Sequence, residues 1–292
     1  MYTITGVTGH VGGATARELL NRDAPVRAVV RDPAKRAAWE ERGARTAIAD
    51  FHDERSLTEA LKGSLGAFVM LPTIATAGDA GHRRLADSIA AAVAESEVPH
   101  VVLLSSIAAD QAAGTGPIRW LHHLETRLRE TGVRLSAIRP CHFQEKVETV
   151  LGAVVGEGVY PVFGETADAP TPMIATRDIG EVAAEALLAP PSRSEVVDLD
   201  GPAYSEQDVA DRLAALLGRP LQVVTIPRDG WVDAMTESGL PVPFAHELAA
   251  MYDAEHRGLF RPCGDRRRTG TTPIDRTLRH VIEAATGHAS AT

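Results

Sequence analysis

A glycine-rich turn near the start of the chain holds the residues best suited to chemistry. Gly6, Gly9 and Gly12 follow a short apolar, β-branched run and precede a stretch with helical periodicity. In such a strand–turn–helix unit the glycines permit a tight turn, close approach of a pyrophosphate, and close packing of the helix on the sheet. The helix N-terminus then presents unpaired N–H groups to phosphate. The spacing predicts a dinucleotide site that includes the intervening residues Thr8, His10 and Val11.

The end of the second predicted strand carries residues that distinguish the two nicotinamide dinucleotides. Arg31 directly follows that strand, and Lys35 lies four residues later. An acidic residue here binds the 2′-hydroxyl of NAD, whereas arginine accommodates the 2′-phosphate of NADP. Since guanidinium and ammonium groups pair well with phosphate, the sequence favours NADP(H) over NAD(H). Because Asp32 is acidic, NAD(H) also stays possible. Alternatively, Arg31 and Lys35 belong to a solvent-exposed basic turn that binds no cofactor.

Strands and helices alternate over the first 200 residues. The second to seventh strands are expected at Pro25–Val30, Thr46–Ala49, Gly66–Leu71, His100–Leu104, Val133–Ile138 and Val196–Leu199. Helices are expected at Ala14–Leu20, from a Ser56 cap to Leu61, and at Arg83–Glu95, Ile118–Glu130 and Arg177–Leu188. This order predicts an α/β fold with a Rossmann-type, doubly wound parallel sheet.

Ligands of such sheets bind at the carboxyl ends of the strands. That rule adds residues from the later strand ends to the glycine loop and Arg31 as cofactor contacts. They are Asp50, Phe51, Leu71, Pro72, Thr73, Ser105, Pro140 and Phe143.

The remaining segments predict a smaller C-terminal α/β lobe that holds the substrate. Residues 1–151, with 174–200 returning, form the cofactor domain, whereas 152–173 and 201–292 form this lobe. Helices are expected from Ser205 to Leu217, at Trp231–Ser238 and at Phe244–Arg257, and a solvated loop at 266–268. The apolar walls expected for the substrate pocket are Met173, Trp231, Phe244 and Tyr252.

The chain resembles the NmrA-like family, an atypical branch of the short-chain dehydrogenases/reductases. The resemblance rests on the glycine loop, Val29–Lys35, Ala49–Phe51 and Ile138–Phe143, and it spans nearly the whole chain. The stretch Gly239–Phe244 is similar to the subgroup that contains NADPH-dependent quinone oxidoreductase and triphenylmethane reductase. The resemblance implies cofactor contacts from the glycine loop, Arg31, Asp50 on the adenine side, residues 71–73 and residues 140–143.

The chain departs from the wider superfamily at its catalytic pair. Most members use Tyr-x-x-x-Lys, in which the tyrosine protonates a carbonyl. Pro117 and Leu121 take those two places here, and neither can donate a proton. Hydride transfer to a strongly accepting, conjugated molecule needs little acid help, and the cofactor carries that chemistry. Three other residues are catalytic candidates: Ser106 after the fifth strand, His122 on the helix of the missing pair, and His142 beside Pro140. Each also has a structural alternative as a cap or packing residue.

Composition narrows the remaining options. The net charge of −9 disfavours nucleic acid and anionic membranes as partners, and no apolar run is long enough to span a bilayer. Two cysteines without metal-ligand spacing predict neither a disulfide framework nor a metal site. We therefore expect a cytoplasmic monomer or homodimer that acts on a small molecule.

Three functions fit these features. The first is an NADPH-dependent reductase of a quinone, dye or imine-like acceptor. The second is a non-catalytic NADP(H)-binding redox sensor or regulator, and the third is a non-redox cyclase or isomerase of a biosynthetic pathway.

Overall fold

The computed structural model describes residues 1–289 of the chain. Its strands are β1 Tyr2–Ile4, β2 Val26–Val30, β3 Arg45–Ile48, β4 Gly66–Met70, β5 His100–Leu104, β6 Arg134–Pro140, β7 His142–Phe143, β8 Val159–Phe163, β9 Thr171–Ile174, β10 Glu195–Asp200, β11 Ala203–Tyr204, β12 Gln222–Ile226 and β13 Arg266–Thr269. Its α-helices are α1 His10–Asn21, α2 Ala37–Glu40, α3 Glu54–Leu61, α4 Gly78–Ser96, α5 Ile118–Glu130, α6 Leu151–Glu157, α7 Thr176–Leu188, α8 Glu206–Leu217, α9 Trp231–Glu237, α10 Val242–His256 and α11 Ile274–Ala289.

Within the described residues, eight parallel strands form the main sheet in the order β13-β10-β6-β5-β4-β1-β2-β3. Helices α3, α4 and α5 pack on one face, and α1 and α7 pack on the other. The central strands are apolar because helices cover both of their faces. The predicted Rossmann-type, doubly wound α/β fold is thereby confirmed.

The two helices on the second face approach each other unusually closely. A Cβ added at Gly180 of α7 would lie 2.5 Å from the Cβ of Ala14 on α1, which is far inside van der Waals contact. Glycine and alanine at the crossing therefore bring α1 against α7. This contact holds the helix that follows the glycine loop in a defined position.

The smaller lobe has a core of its own. Strand β8 pairs in parallel with β12, and β7, β9 and β11 form a separate three-stranded sheet. Residues from α6, β8, α8 and α11 share one buried cluster, and α9 and α10 share another. Residues 152–173 thus pack with segments after residue 201, although the division of the chain into two units stays a prediction. The last three residues of the predicted lobe lie outside the described residues.

Four predicted features differ from the structure. Helix α1 begins at His10 rather than Ala14, and α4 begins at Gly78 rather than Arg83. The cap of α3 is Asp53, whose carboxylate accepts N–H bonds from Arg55 and Ser56, and not Ser56 itself. Residues 266–268 form the edge strand β13 rather than a loop. Their three arginines form ion pairs with Glu195, Asp200 and Glu185, which neutralise the positive charges.

Among the helices of the described residues, none combines the length and the apolar character that a bilayer crossing requires.

Candidate active site

The candidate cofactor groove lies at the carboxyl ends of β1 and β4. The strand order reverses at these two strands, and α/β sheets bind ligands at such a reversal. The groove has a volume of about 520 Å³. It brings together nine of the predicted cofactor residues: Gly6, Thr8, Gly9, Arg31, Lys35, Asp50, Phe51, Pro72 and Thr73.

The turn that floors this groove depends on its glycines. Gly6 has a φ of +64°, a conformation that side chains rarely adopt. A Cβ on Gly12 would lie 2.4 Å from the carbonyl oxygen of Gly6, so α1 can follow the turn only if residue 12 has no side chain. Gly9 is exposed, and its N–H donates to the Gly6 carbonyl at 3.0 Å. This backbone-lined cradle fits the pyrophosphate of a dinucleotide.

One wall of the groove carries two cationic side chains, Arg31 and Lys35. Arg31 and Lys35 are exposed, and within residues 1–289 neither lies in an ion pair. The carboxylate of Asp32 instead accepts an N–H bond from Ala34 at 2.9 Å and caps the short turn that includes Lys35. Two cations are therefore available to an anion, whereas the nearby carboxylate is already engaged.

Asp50 also lines the groove, at the end of the neighbouring strand β3. Its Oδ1 accepts from the backbone N–H of His52 at 2.9 Å and lies 2.9 Å from the Nδ1 of that residue. The backbone hydrogen bond from His52, the histidine side chain and the charge of Arg31 lower the pKa of Asp50. Asp50 is therefore an ionised acceptor for hydrogen bonds from a ligand at neutral pH.

Six other predicted cofactor residues do not line the groove. Val11 and Leu71 are buried in the two cores, Gly12 lies under the turn, and Pro140 is buried at the end of β6. Phe143 is half-buried against the core of the second face. His10 faces a separate cleft along α1, where its Nε2 lies 2.9 Å from Glu148.

Ser105, the remaining predicted contact, belongs to a buried ionic network. Its hydroxyl donates to Glu125 at 2.5 Å, and Arg139 pairs with the same carboxylate through two N–H groups. Burial on its own raises the pKa of Glu125, but the hydrogen bonds and charge of Arg139 outweigh it and lower that pKa. The network ties α5 to the ends of β5 and β6, where the crevice opens.

A second cavity of about 290 Å³ lies beyond the end of β6, in the smaller lobe. Its walls include His142 and Tyr252 from the predicted set, together with Lys146, Tyr160, Phe163, Glu206 and Glu255. The rings of Phe163 and Tyr252 stack with their centroids 5.5 Å apart. The cavity therefore combines a flat aromatic wall with ionisable groups.

The ionisable groups of this cavity form two sets. The Nε2 of His142 lies 2.6 Å from Oε1 of Glu255. Lys146 pairs with Glu206, and the hydroxyl of Tyr160 donates to the other oxygen of Glu206 at 2.6 Å. Burial and the neighbouring Glu206 raise the pKa of Tyr160 well above its usual range. Tyr160 is therefore a neutral hydrogen-bond donor.

The other two catalytic candidates lie elsewhere. Ser106 is half-buried directly after β5. His122 uses its Nδ1–H to donate to the carbonyl of Ala109 at 2.9 Å. On the same helix, Leu121 packs against the core and Pro117 is the residue before the first turn. The structure thus does not bring Ser106, His122 and His142 together in one cavity.

Of the four predicted pocket walls, only Tyr252 lines the second cavity. Met173 and Trp231 are buried in the cores of the smaller lobe, and the indole N–H of Trp231 donates to Ile226 at 2.8 Å. Phe244 packs against the core of the main sheet. As substrate contacts, all four remain predictions.

Sequence reasoning missed Lys146, Glu206 and Glu255 in the second cavity. One of them had a detectable signal. Glu255 follows Tyr252 by three residues, which places both on one helical face. Lys146 had none, because the chain between it and His142 is not α-helical. Glu206 had none, since an acidic residue in a first helical turn is ordinarily a dipole partner.

No group of three or more histidine, cysteine or acidic residues within residues 1–289 is arranged to hold a metal ion.

Known proteins are similar to this chain over most of its length. The profile of the NmrA-like family matches residues 2–286. The chain is 31% identical over 254 residues to NAD(P)H azoreductase of Xenophilus azovorans, covering 86% of each protein. It is 26% identical over 267 residues to quinone oxidoreductase 2 of Escherichia coli (strain K12), covering 89% of this chain and 90% of that protein.

A solved structure has the same fold as this chain. The triphenylmethane reductase of Citrobacter sp., crystallised with NADP(H), superposes with a TM-score of 0.79 over 96% of this chain and 100% of its own, at 18% identity. At this identity the likeness concerns the fold alone. The predicted oxidoreductase class agrees with the names of both curated relatives. The family profile and the azoreductase match together establish that this chain belongs to the NmrA-like family.

Proposed function

We propose that this chain is an NAD(P)H-dependent reductase of conjugated small molecules. The observation that carries the proposal is the glycine cradle at the reversal of the sheet, with free cations on one wall. The names of its relatives, an azoreductase and a quinone oxidoreductase, support the same reaction class.

NADP(H) is the preferred cofactor in this proposal. Arg31 and Lys35 would bind the 2′-phosphate, because both are exposed and free of ion pairs in the part of the chain described. Asp32 would compete poorly for a 2′-hydroxyl, since its carboxylate caps a turn. A guanidinium pairs with a phosphate through two parallel hydrogen bonds, which gives Arg31 the larger share of the preference.

The chemistry does not require a tyrosine–lysine pair. Lys35, Lys62 and Lys146 are the lysines of this chain, and none follows a tyrosine by four residues. Reduced nicotinamide supplies a hydride when bound. The chain's own residues bind the cofactor and orient the acceptor, and a quinone, azo compound or cationic dye delocalises the electrons it receives.

The second cavity is the proposed acceptor site. It adjoins the end of β6, and the stacked Phe163 and Tyr252 give it an aromatic wall that suits a planar acceptor. The buried Glu125–Arg139 pair stabilises the strand ends between this cavity and the cofactor groove.

Calorimetry with NADPH and NADH, followed by an acceptor panel, tests the proposal. The panel contains menadione, methyl red and crystal violet, and the signal is the loss of reduced-nicotinamide absorbance. Tight NADPH binding followed by oxidation supports a reductase. Binding without oxidation by any acceptor supports the sensor or the cyclase instead, and failure to bind either cofactor contradicts the dinucleotide site.

A further inference from the structure

His142 is the ionisable ring in the proposed acceptor cavity that is best placed to supply a proton. It lies two residues beyond the end of β6, which is the strand end that faces the crevice. His142 lines the cavity, and 16% of the side-chain surface of His142 is exposed. The aromatic ring of Phe260 stacks with the imidazole at a centroid distance of 6.0 Å.

The two nitrogens of this imidazole have different environments. Nε2 lies 2.6 Å from a carboxylate oxygen of Glu255. Burial would raise the pKa of Glu255, but the hydrogen bond and charge of His142 outweigh it, so that the pKa is lowered and the carboxylate is ionised. Nε2 is therefore the donor in this bond. Among the side chains of residues 1–285 and the backbone of the described chain, Nδ1 has no hydrogen-bond partner and is free to exchange a proton.

The second carboxylate of the cavity does not compete for this role. Glu206 is neutralised by Lys146 and also accepts from Tyr160. Glu255 is therefore the carboxylate that pairs with His142. A carboxylate that holds one ring nitrogen fixes the orientation of the imidazole.

We propose that His142 is the proton donor to the acceptor, that Glu255 positions it, and that this pair adapts the cavity to acceptors that need a proton as well as a hydride. The proposal rests on the reductase function proposed above. A quinone gains a hydride on one atom and a proton on its oxygen, and an azo group gains one of each on its two nitrogens. In this step His142 starts as the imidazolium, protonated on both nitrogens; its Nδ1–H bond breaks as the new O–H or N–H bond forms, and neutral imidazole, protonated on Nε2, remains paired with Glu255. Solvent returns the proton.

Acceptors of two kinds separate this role from a structural one. Crystal violet is a cation that becomes neutral on receiving a hydride and takes up no proton. Menadione needs both. His142→Gln is expected to lower kcat/KM for menadione about 100-fold, the range typical of general acid catalysis. The value for crystal violet and the calorimetric affinity for NADPH should change little. Glu255→Gln should give the same selectivity with a smaller loss.

His123→Gln is the matched control. His123 also pairs with a carboxylate, Asp87 at 3.0 Å, but between α5 and α4 and not in the cavity, so neither acceptor should be affected. Imidazole added to His142→Ala should restore menadione reduction, which provides a test that does not need the dye.

A measurement on the cofactor-free protein tests the geometry separately. Nitrogen-15 NMR should show neutral His142 protonated at Nε2 in the wild-type chain, and a mixture of tautomers in Glu255→Gln. Equal losses with menadione and crystal violet, no loss with either, or absence of imidazole rescue would overturn the assignment. Absence of turnover by the wild-type chain with every acceptor, despite NADPH binding, would instead overturn the proposed function.

Discussion

Arg139 and Glu125 form a two-point ion pair inside the protein. Nε and Nη2 of Arg139 donate to the two carboxylate oxygens of Glu125 at 2.9 and 2.7 Å. Glu125 is fully buried, and 5% of the surface of Arg139 is exposed. Because α5 and β6 carry the two partners, the pair links the helix to the strand end at the crevice.

Glu125→Gln should therefore destabilise the protein strongly. The substitution removes the carboxylate that accepts two hydrogen bonds from the buried Arg139 and leaves it only Asp110, 3.9 Å away, which costs about 3–5 kcal/mol. Urea unfolding measures the change. Glu130→Gln, which removes an exposed ion pair with Arg127 on the same helix, should cost no more than about 1 kcal/mol. Similar losses in both variants would contradict the importance of the buried pair.

Substitution by valine should affect folding stability at Gly12 and cofactor binding at Gly9. A Cβ at Gly12 would lie 2.4 Å from the backbone of the turn, so Gly12→Val is expected to cost about 3 kcal/mol of folding stability. A Cβ at Gly9 would lie 3.5 Å from its nearest neighbour, an ordinary contact. Gly9→Val should therefore stay folded and lose NADPH binding. Thermal unfolding and calorimetry distinguish the two, and retained NADPH affinity in Gly9→Val would count against the phosphate cradle.

Arg31→Ala should discriminate between the two cofactors. Loss of one charge-assisted hydrogen-bonding partner predicts NADPH binding weaker by about 1.5–3 kcal/mol, with NADH binding nearly unchanged. Calorimetry with each cofactor gives the comparison. Arg45→Ala removes an exposed arginine from β3 that does not line the groove, and should leave both affinities intact. Equal weakening of NADPH and NADH in Arg31→Ala would contradict the 2′-phosphate assignment.

His100 should make folding stability depend on pH. Burial, together with the charge of Arg134, lowers its pKa from 6.5 to about 4. The unfolded chain therefore binds a proton before the folded chain does as the pH falls. The stability contributed by neutral His100 is complete above pH 6.5 and is lost between pH 6.5 and about 4. At about 1.4 kcal/mol per pH unit, the loss approaches roughly 3 kcal/mol.

Urea unfolding of wild-type protein and His100→Gln across this pH range isolates the effect. Glutamine can still donate toward Ser136, which lies 3.1 Å from His100 Nε2, but it does not titrate. The difference in unfolding free energy between the two proteins should narrow on acidification. A constant difference would show that His100 does not titrate as its burial requires.

Local patterns explain most of what could be predicted. Strand β5 and helix α5 occur with the predicted bounds, because an apolar run and a regular amphipathic repeat are both local signals. The start of α1 was less predictable. Its N-cap is Gly9, which has no capping side chain, and two further glycines follow within the helix. These glycines discourage a helix locally, but close packing against the turn and α7 requires them.

The second cavity could not be predicted from local sequence patterns. Its walls come from segments separated by more than one hundred residues, and His142 meets Glu255 only after α10 has packed against the end of β6. No periodicity relates such positions. Strand β13 was mispredicted for the same reason. Three consecutive arginines indicate a loop, and their ion-pair partners Glu195, Asp200 and Glu185 are distant in the sequence.

The sequence by itself determined the α/β fold, the glycine-rich turn and the cationic wall, because each depends on neighbours in the chain. Tertiary structure alone decided which polar residues face a cavity and which are sealed in the core. Ser105 and His142 both follow strand ends at the crevice. Ser105 belongs to a buried ionic network, whereas His142 lines a cavity. The difference arises because segments distant in the sequence pack around each side chain and determine its environment.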